Sequence, residues 1–127
     1  MGIQLATALG RDHETIGFDP NKSKIEAYRS GIDPSGQVSS PKFQSATSLS
    51  LTSNKDDLEG CQIYIVAVPT PVDREQRPDF SPLIDASRTV GEAIEKGAIV
   101  IYESTVYPGA TEEICRPILE KVSGLQW

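Results

Sequence analysis

Ile63-Tyr64-Ile65-Val66-Ala67-Val68 and Ala98-Ile99-Val100-Ile101-Tyr102 are the two stretches on which the fold turns. Both are unbroken apolar runs rich in β-branched residues, without the alternation of a half-solvated strand. Strands of that kind belong to parallel sheets with helices over both faces. Between them Leu83, Ala86, Val90 and Ile94 recur at helical spacing. Asp79 and Ser81-Pro82 are start signals for that helix, and Gly97 closes it. After the second run, Ile114, Ile118, Leu119 and Val122 form another apolar stripe, interrupted by Pro117 and ended by Gly124. A proline inside a helical pattern predicts a kink or a split.

Toward the N-terminus the signals are shorter. Ile3 to Leu9 reads as a helix stopped by Gly10, and Thr15 to Asp19 as a strand ending in an acid. Asn21 caps a predicted helix from Lys22 to about Arg29, with Ile25 and Tyr28 inward and Gly31 after it. Ser30 to Asn54 is rich in serine and reads as a connecting loop. It holds a helical turn near Pro41 to Ala46 and a strand at Leu49 to Thr52; a further turn at Lys55 to Glu59 follows. The order is α-β-α-(β)-α-β-α-β-α, which implies βαβ units with right-handed crossovers in an open parallel sheet. One feature departs from the pattern: the chain opens on a helix with no strand before it.

Composition narrows the function classes. With 127 residues the chain has the length of one domain, and 38% apolar and 24% charged residues are globular values. Twelve basic against eighteen acidic residues leave a formal charge of −6, with no Lys/Arg block. A surface that tracks phosphates needs a basic stripe, so nucleic acid is excluded as a partner. No apolar run reaches the ~20 residues that span a bilayer, and no secretory signal is visible, so no membrane role is expected. Cys61 and Cys115, with a single histidine, form neither a zinc motif nor a disulfide scaffold; a reducing cytoplasm is the expected location. His13 reads as a surface residue, the two cysteines as packing residues, and Asp56-Asp57 and Glu112-Glu113 as solvated helix starts.

Two constellations carry chemistry. In a dinucleotide-binding βαβ unit, a G-x-G-x-x-G loop follows the first strand, and an acid about 20 residues on receives the adenosine ribose hydroxyls. Were Gly2 the third glycine of such a loop, Asp19 would stand at the spacing expected of that acid. Ala6 and Ala8 would let the intervening helix approach the sheet closely. Spacing alone equally allows an ordinary N-terminal glycine and a turn aspartate. The second constellation is Val68-Pro69-Thr70-Pro71 together with Glu103-Ser104-Thr105-Val106-Tyr107-Pro108-Gly109, each directly after an apolar strand. Ligands of open α/β sheets bind outside the carboxyl ends of strands, so Asp19, Thr70 and Ser104-Thr105 are expected at one sheet edge. A rigid turn and a helix cap are the plainer alternatives, with Thr111 the better cap.

These segments, with Gly17-Phe18-Asp19-Pro20-Asn21-Lys22 and Arg77-Pro78-Asp79, resemble the UDP-glucose/GDP-mannose dehydrogenase family over essentially the whole chain. The closest resemblance is to bacterial UDP-N-acetylhexosamine 6-dehydrogenases of surface-polysaccharide synthesis. The resemblance implies a Rossmann-like doubly wound parallel sheet and an NAD-dependent oxidation of a nucleotide sugar's C6 alcohol to a carboxylate. By the same resemblance Gly2 is the last glycine of the phosphate loop, Asp19 the acid on the adenosine ribose and Lys24 the base supporting it. Thr70 contacts NAD, and Thr105 lies by the nicotinamide and holds the catalytic water. An acid at position 19 repels a 2′-phosphate and so favours NAD over NADP.

The departures are equally specific. Family members begin with a strand and a full G-x-G-x-V-G, whereas Met1 stands here where the family has valine. The expectation is a start codon read at a former valine codon, or the edge of a truncated gene; the upstream DNA decides between them. The family's thiohemiacetal cysteine, its lysine and asparagine and its sugar-binding domain come later than Trp127, and neither Cys61 nor Cys115 matches the nucleophile. Residues 1–127 are therefore expected to be a partial NAD-binding domain that oxidises no sugar alone, with a UDP-sugar substrate only in a full-length protein. The alternative is a non-catalytic interaction module. Losing a central strand exposes strand edges through which copies of the chain could pair as a homo-oligomer. A hydroxyacid dehydrogenase sharing the same nucleotide domain is a third reading, against which both proline-containing segments argue.

Overall fold

The computed structural model describes residues 2–68, 72, 74–75, 79–103 and 111–126, without the side chains of residues 111 and 112. Two compact units divide the chain after Leu58. In the first, α1 (Gly2–Leu9) precedes β1 (Thr15–Phe18), α2 (Lys22–Arg29), α3 (Ser40–Ser45), β2 (Leu49–Thr52) and a 3₁₀ turn (Lys55–Leu58). The second holds β3 (Ile63–Val66), α4 (Ser81–Ala93), β4 (Ile99–Tyr102), a π-helical turn (Thr111–Cys115) and α5 (Arg116–Ser123).

Each unit is built on a parallel pair. In the first, β1 and β2 run in register from Thr15 opposite Leu49 to Phe18 opposite Thr52. α1 lies across this pair antiparallel to the strands. A Cβ added at Gly17 would lie 3.9 Å from that of Ala6, and one added at Gly10 would come within 2.6 Å of Leu49 Cβ. The helix therefore ends over the start of β2, and its first residue lies toward the strands' carboxyl ends. Ala6 makes the close approach expected of it, while Ala8 is exposed. Gly10 does not take the left-handed conformation of a glycine stop. It is small because Leu49 presses against it.

α2 forms as its sequence dictates. Asn21 is extended (φ −79°, ψ 104°) and its side chain accepts the Lys24 N–H, supplying one of the partners a helix start lacks. Ile25 and Tyr28 are buried, and Tyr28 stacks obliquely on Phe43 of the α3 region, ring centroids 5.8 Å apart. On the side of β2 away from β1, the Arg29 guanidinium donates to the Leu51 carbonyl from Nε (3.2 Å) and Nη2 (2.6 Å). That bond satisfies an acceptor on the edge of β2 that pairs with no strand among the described residues.

In the second unit β3 and β4 pair from Ile63 opposite Ile99 to Val66 opposite Tyr102. α4 covers one face of the pair, where Tyr64 and Val66 are buried. Leu83, Ser87, Val90, Gly91 and Ile94 form the buried stripe in and just after α4, so Ser87 takes the place that the apolar spacing assigned to Ala86. α5 packs on α4 so tightly that a Cβ at Gly91 would stand 3.0 Å from Val122 Cβ. Pro117 splits the last helical stretch, with π-helical turns before Arg116 and α-helix after it. Gly124 caps it in the left-handed conformation (φ 75°) that a Cβ would oppose. The strand expectation fails in one respect: both faces were to be covered, but the face carrying Ile63, Ile65, Ile99 and Ile101 is exposed.

Candidate functional site

Asp19 follows β1 directly, and its backbone N–H donates to the Thr52 carbonyl at the end of β2 (3.2 Å). The carboxylate is held from two sides. Oδ1 accepts the Asn21 N–H at 2.9 Å, and Oδ2 stands 3.6 Å from Lys24 Nζ. The first contact comes from the turn into α2 and the second from its first turn, so one capping sequence, Asp19-Pro20-Asn21, positions both partners. Both side chains keep part of their surface in solvent. An ionised carboxylate offers about four acceptor sites, so two remain for hydroxyl donors.

Beside it, Thr52 is buried; its hydroxyl donates to Asp57 Oδ2 (2.6 Å) and accepts the Asn54 N–H (3.0 Å). Asp57 thus anchors the turn after β2, as well as opening the 3₁₀ helix. Tyr28, on the inner face of α2, has its phenol pushed to higher pKa by burial first, then by the charges of Asp33 and Asp19. Gly2 begins α1 at the strands' carboxyl edge, the edge from which Asp19 emerges. Both therefore lie toward the same edge of the β1–β2 pair.

In the second unit, Val68 and Glu103 lead away from the carboxyl ends of parallel strands whose last paired residues are Val66 and Tyr102. The Glu103 N–H extends the ladder to the Val66 carbonyl (2.9 Å). Thr70, Ser104 and Thr105, and with them the Pro-Thr-Pro and Ser-Thr-Val segments, lie outside the described residues.

A buried polar cluster stands at the end of β4, unread in the sequence. Ser87 Oγ and the Tyr102 hydroxyl are 2.8 Å apart, and both Ser87 and Cys115 are fully buried. Burial, followed by the charge and hydrogen bonding of Cys115, drives the Tyr102 phenol far up; the Ser87 hydrogen bond pulls the other way. Tyr102 stays a neutral phenol across the whole working pH range and ties β4 to α4. The available signal was positional, since Ser87 falls at i+4 from Leu83 on the helix's inner stripe.

His13 is exposed, Cys61 half-buried and Cys115 buried, and neither thiol is in a disulfide. Among the described residues no group of acidic, histidine or cysteine side chains could hold a metal ion, and no helix is long and apolar enough to cross a membrane.

Residues 1–126 match the family model described as UDP-glucose/GDP-mannose dehydrogenase family, NAD binding domain. The whole chain is 48% identical over 127 residues to UDP-N-acetyl-D-glucosamine 6-dehydrogenase of Pseudomonas aeruginosa, of which it spans 30%. It is 47% identical over 125 residues to Protein CapL of Staphylococcus aureus, covering 98% of this chain and 29% of that protein. Its fold superposes on the structure of a UDP-D-ManNAc dehydrogenase from Pyrococcus horikoshii with a TM-score of 0.87 and 31% identity, across 99% of this chain and 31% of the other. The α/β class with parallel strands read from the strand runs, and the Rossmann-like fold that the resemblance implied, therefore stand. The chain spans about 30% of the length of the curated relatives it matches.

Proposed function

The chain belongs to the UDP-glucose/GDP-mannose dehydrogenase family as its NAD-binding domain, and from that premise we propose that it supplies the adenosine-holding side of a UDP-N-acetylhexosamine 6-dehydrogenase. In the complete enzyme the C6 alcohol of the sugar becomes a carboxylate, a step in polysaccharide synthesis carried out in the cytoplasm. NAD, when bound, would accept hydride, and the four-electron change from alcohol to carboxylate takes two such transfers, to two NAD molecules in turn. Residues 1–127 constitute part of the NAD-binding domain and oxidise no sugar by themselves.

The observation that carries this reading is the Asp19 carboxylate, fixed at the carboxyl end of β1 by the Asn21 N–H and Lys24 and sharing its edge with the start of α1. An acceptor-only group with free lone pairs suits two vicinal ribose hydroxyls and repels a 2′-phosphate. Lys24 orients the carboxylate from one side and the Asn21 N–H from the other. Gly2, without a Cβ, lets the pyrophosphate approach the first amides of α1, where the helix dipole favours negative charge. Thr70 is assigned to the cofactor as well. Thr105 is assigned a place beside the nicotinamide, positioning the water that enters the second oxidation.

Calorimetric titration of the 127-residue chain tests the reading. NAD binds more tightly than NADP, and Asp19→Ala weakens NAD roughly tenfold, the loss of about 1.4 kcal/mol of charge-assisted hydrogen bonding. An Asp19→Ala chain with unchanged NAD affinity removes the assignment. NADH formation from a UDP-sugar by the chain alone overturns the claim that it is inactive by itself.

A further inference from the structure

The second unit leaves one face of its sheet bare. Ile63 pairs with Ile99 and Ile65 with Ile101, so four isoleucine side chains form a two-by-two block on one side of β3 and β4. They are 55%, 56%, 38% and 39% exposed respectively. The alternate residues Tyr64 and Val66 are 5% and 4% exposed, and the Tyr64 hydroxyl donates to the Ala93 carbonyl of α4 at 3.4 Å. No charged residue interrupts either strand. Parallel sheets occur almost only with both faces covered, and a contiguous apolar block in water marks an interaction site.

We infer that this isoleucine block is an interface. Its occupant is an uncharged, apolar face of the polypeptide that the longer dehydrogenases carry outside the matched stretch. The inference rests on the family assignment and on two facts. Relatives match this chain from end to end while about 70% of their length has no counterpart in it. The covering layer that a parallel sheet requires is supplied on one face by α4 and on the other by nothing among the described residues. The patch offers no charge for a polar or acidic ligand to recognise. A helix face with aliphatic side chains at i, i+3 and i+4 fits it, because such a stripe buries isoleucine without stranding a polar group.

Thiol labelling tests the inference without depending on NAD. Ile101→Cys is introduced with Cys61→Ser, the fully buried Cys115 being retained as an unreactive thiol. A maleimide is reacted with the 127-residue chain and with a fusion where these residues replace the matched stretch of the Pseudomonas aeruginosa dehydrogenase, and the adduct is followed by mass spectrometry on the peptide that carries residue 101, so that other cysteines of the fusion do not enter the rate. The expected result is rapid labelling of the short chain at a rate independent of its concentration, and labelling at least about 100-fold slower in the fusion. Ile63→Cys repeats the measurement should either Ile101→Cys protein fail to melt cooperatively. Equal rates in the two proteins overturn the inference. So does protection of the short chain that grows with its concentration, which makes a second copy the occupant, and so does protection at every concentration, which means the chain covers its own face. Loss of NAD binding with the labelling contrast intact would count against the cofactor reading alone.

Discussion

In residues 2–58, turn after turn is fixed by a side chain that collects backbone N–H groups. Asp19 takes Asn21, Asn21 takes Lys24, and Asp33 takes Ser35, Gln37 and Val38. In residues 59–126 the described order rests instead on two helices pressed together over one face of a strand pair, with Leu83, Ser87, Cys115 and Leu119 buried between them. Polar turns define positions to a few tenths of an ångström at little net free energy, since each hydrogen bond replaces one to water. Buried aliphatic surface supplies stability but places no acceptor where a ligand needs it. Asp19, proposed above for the ribose, stands in the first kind of region, and the exposed apolar face belongs to the second.

The contrast breaks most visibly at Leu83. This side chain is almost fully buried in α4, and Leu83→Ala is expected to cost about 2–5 kcal/mol, through lost burial and the cavity left behind. Amide exchange resolved along the chain checks where the loss falls. β3, α4 and α5 are expected to open faster, with β1 and β2 less affected; uniform acceleration would mean that the two units are not distinct in stability. In the first unit the largest effect belongs to a position without a side chain. Gly10→Ala pushes a Cβ to 2.6 Å from Leu49 Cβ and 3.1 Å from the Ala6 carbonyl oxygen. The backbone must shift to admit it, at roughly 1–3 kcal/mol, read from the denaturant midpoint. A neutral Gly10→Ala would restore the simpler role of a helix stop.

That glycine also marks where sequence reading reaches its limit. α2 was legible in full, because Asn21, Ile25, Tyr28 and Gly31 act through local spacing alone. So were the split at Pro117 and the left-handed cap at Gly124. Gly10 looked the same as any helix-ending glycine, since its reason lies 39 positions away at Leu49. Ser87 was passed over because a serine scores as polar, whereas its partner, Tyr102, meets it only in the folded unit. The bare isoleucine face was read as covered, because an unbroken apolar run is identical whether one or both sides find a neighbour. Of the candidate site, Asp19 follows the strand and Gly2 opens the helix that local signals predicted, whereas Lys24 entered only through the family resemblance, and Thr70 and Thr105 lie outside the described residues.

Asp33 probes the polar half of the comparison. Its carboxylate accepts the Ser35 hydroxyl and three backbone N–H groups within the loop that follows α2. Burial pushes its pKa up, but the bonds from Ser35, Val38 and Gln37 outweigh that and hold it below the ordinary carboxylate value. A group depressed in the folded state stabilises it above the unfolded pKa, and that contribution disappears as pH falls through the lower folded value. Asp33→Ala removes the acceptor and leaves the buried Val38 amide without it, a loss of about 1–3 kcal/mol near neutral pH. The difference from the parent chain should shrink in acid. A pH-independent difference between the two melting curves would assign the effect to packing.

Lys24 gives the smallest stability change and the sharpest separation of the two kinds of role. Its ammonium pairs with Asp19 near the surface, where such pairs are worth at most about 1 kcal/mol. Its backbone N–H, not its side chain, is what Asn21 caps, so Lys24→Ala leaves the start of α2 intact and introduces a residue of higher helix propensity. The melting temperature should therefore hardly move, while NAD affinity falls about fivefold, ~1 kcal/mol, as the carboxylate loses one of its two restraints. Lys24→Arg, which keeps the charge on a longer arm, should recover part of that affinity. If Lys24→Ala instead lowers stability as much as Gly10→Ala while leaving NAD affinity intact, the ion pair belongs to the fold, and Asp19 would be oriented by the Asn21 turn alone.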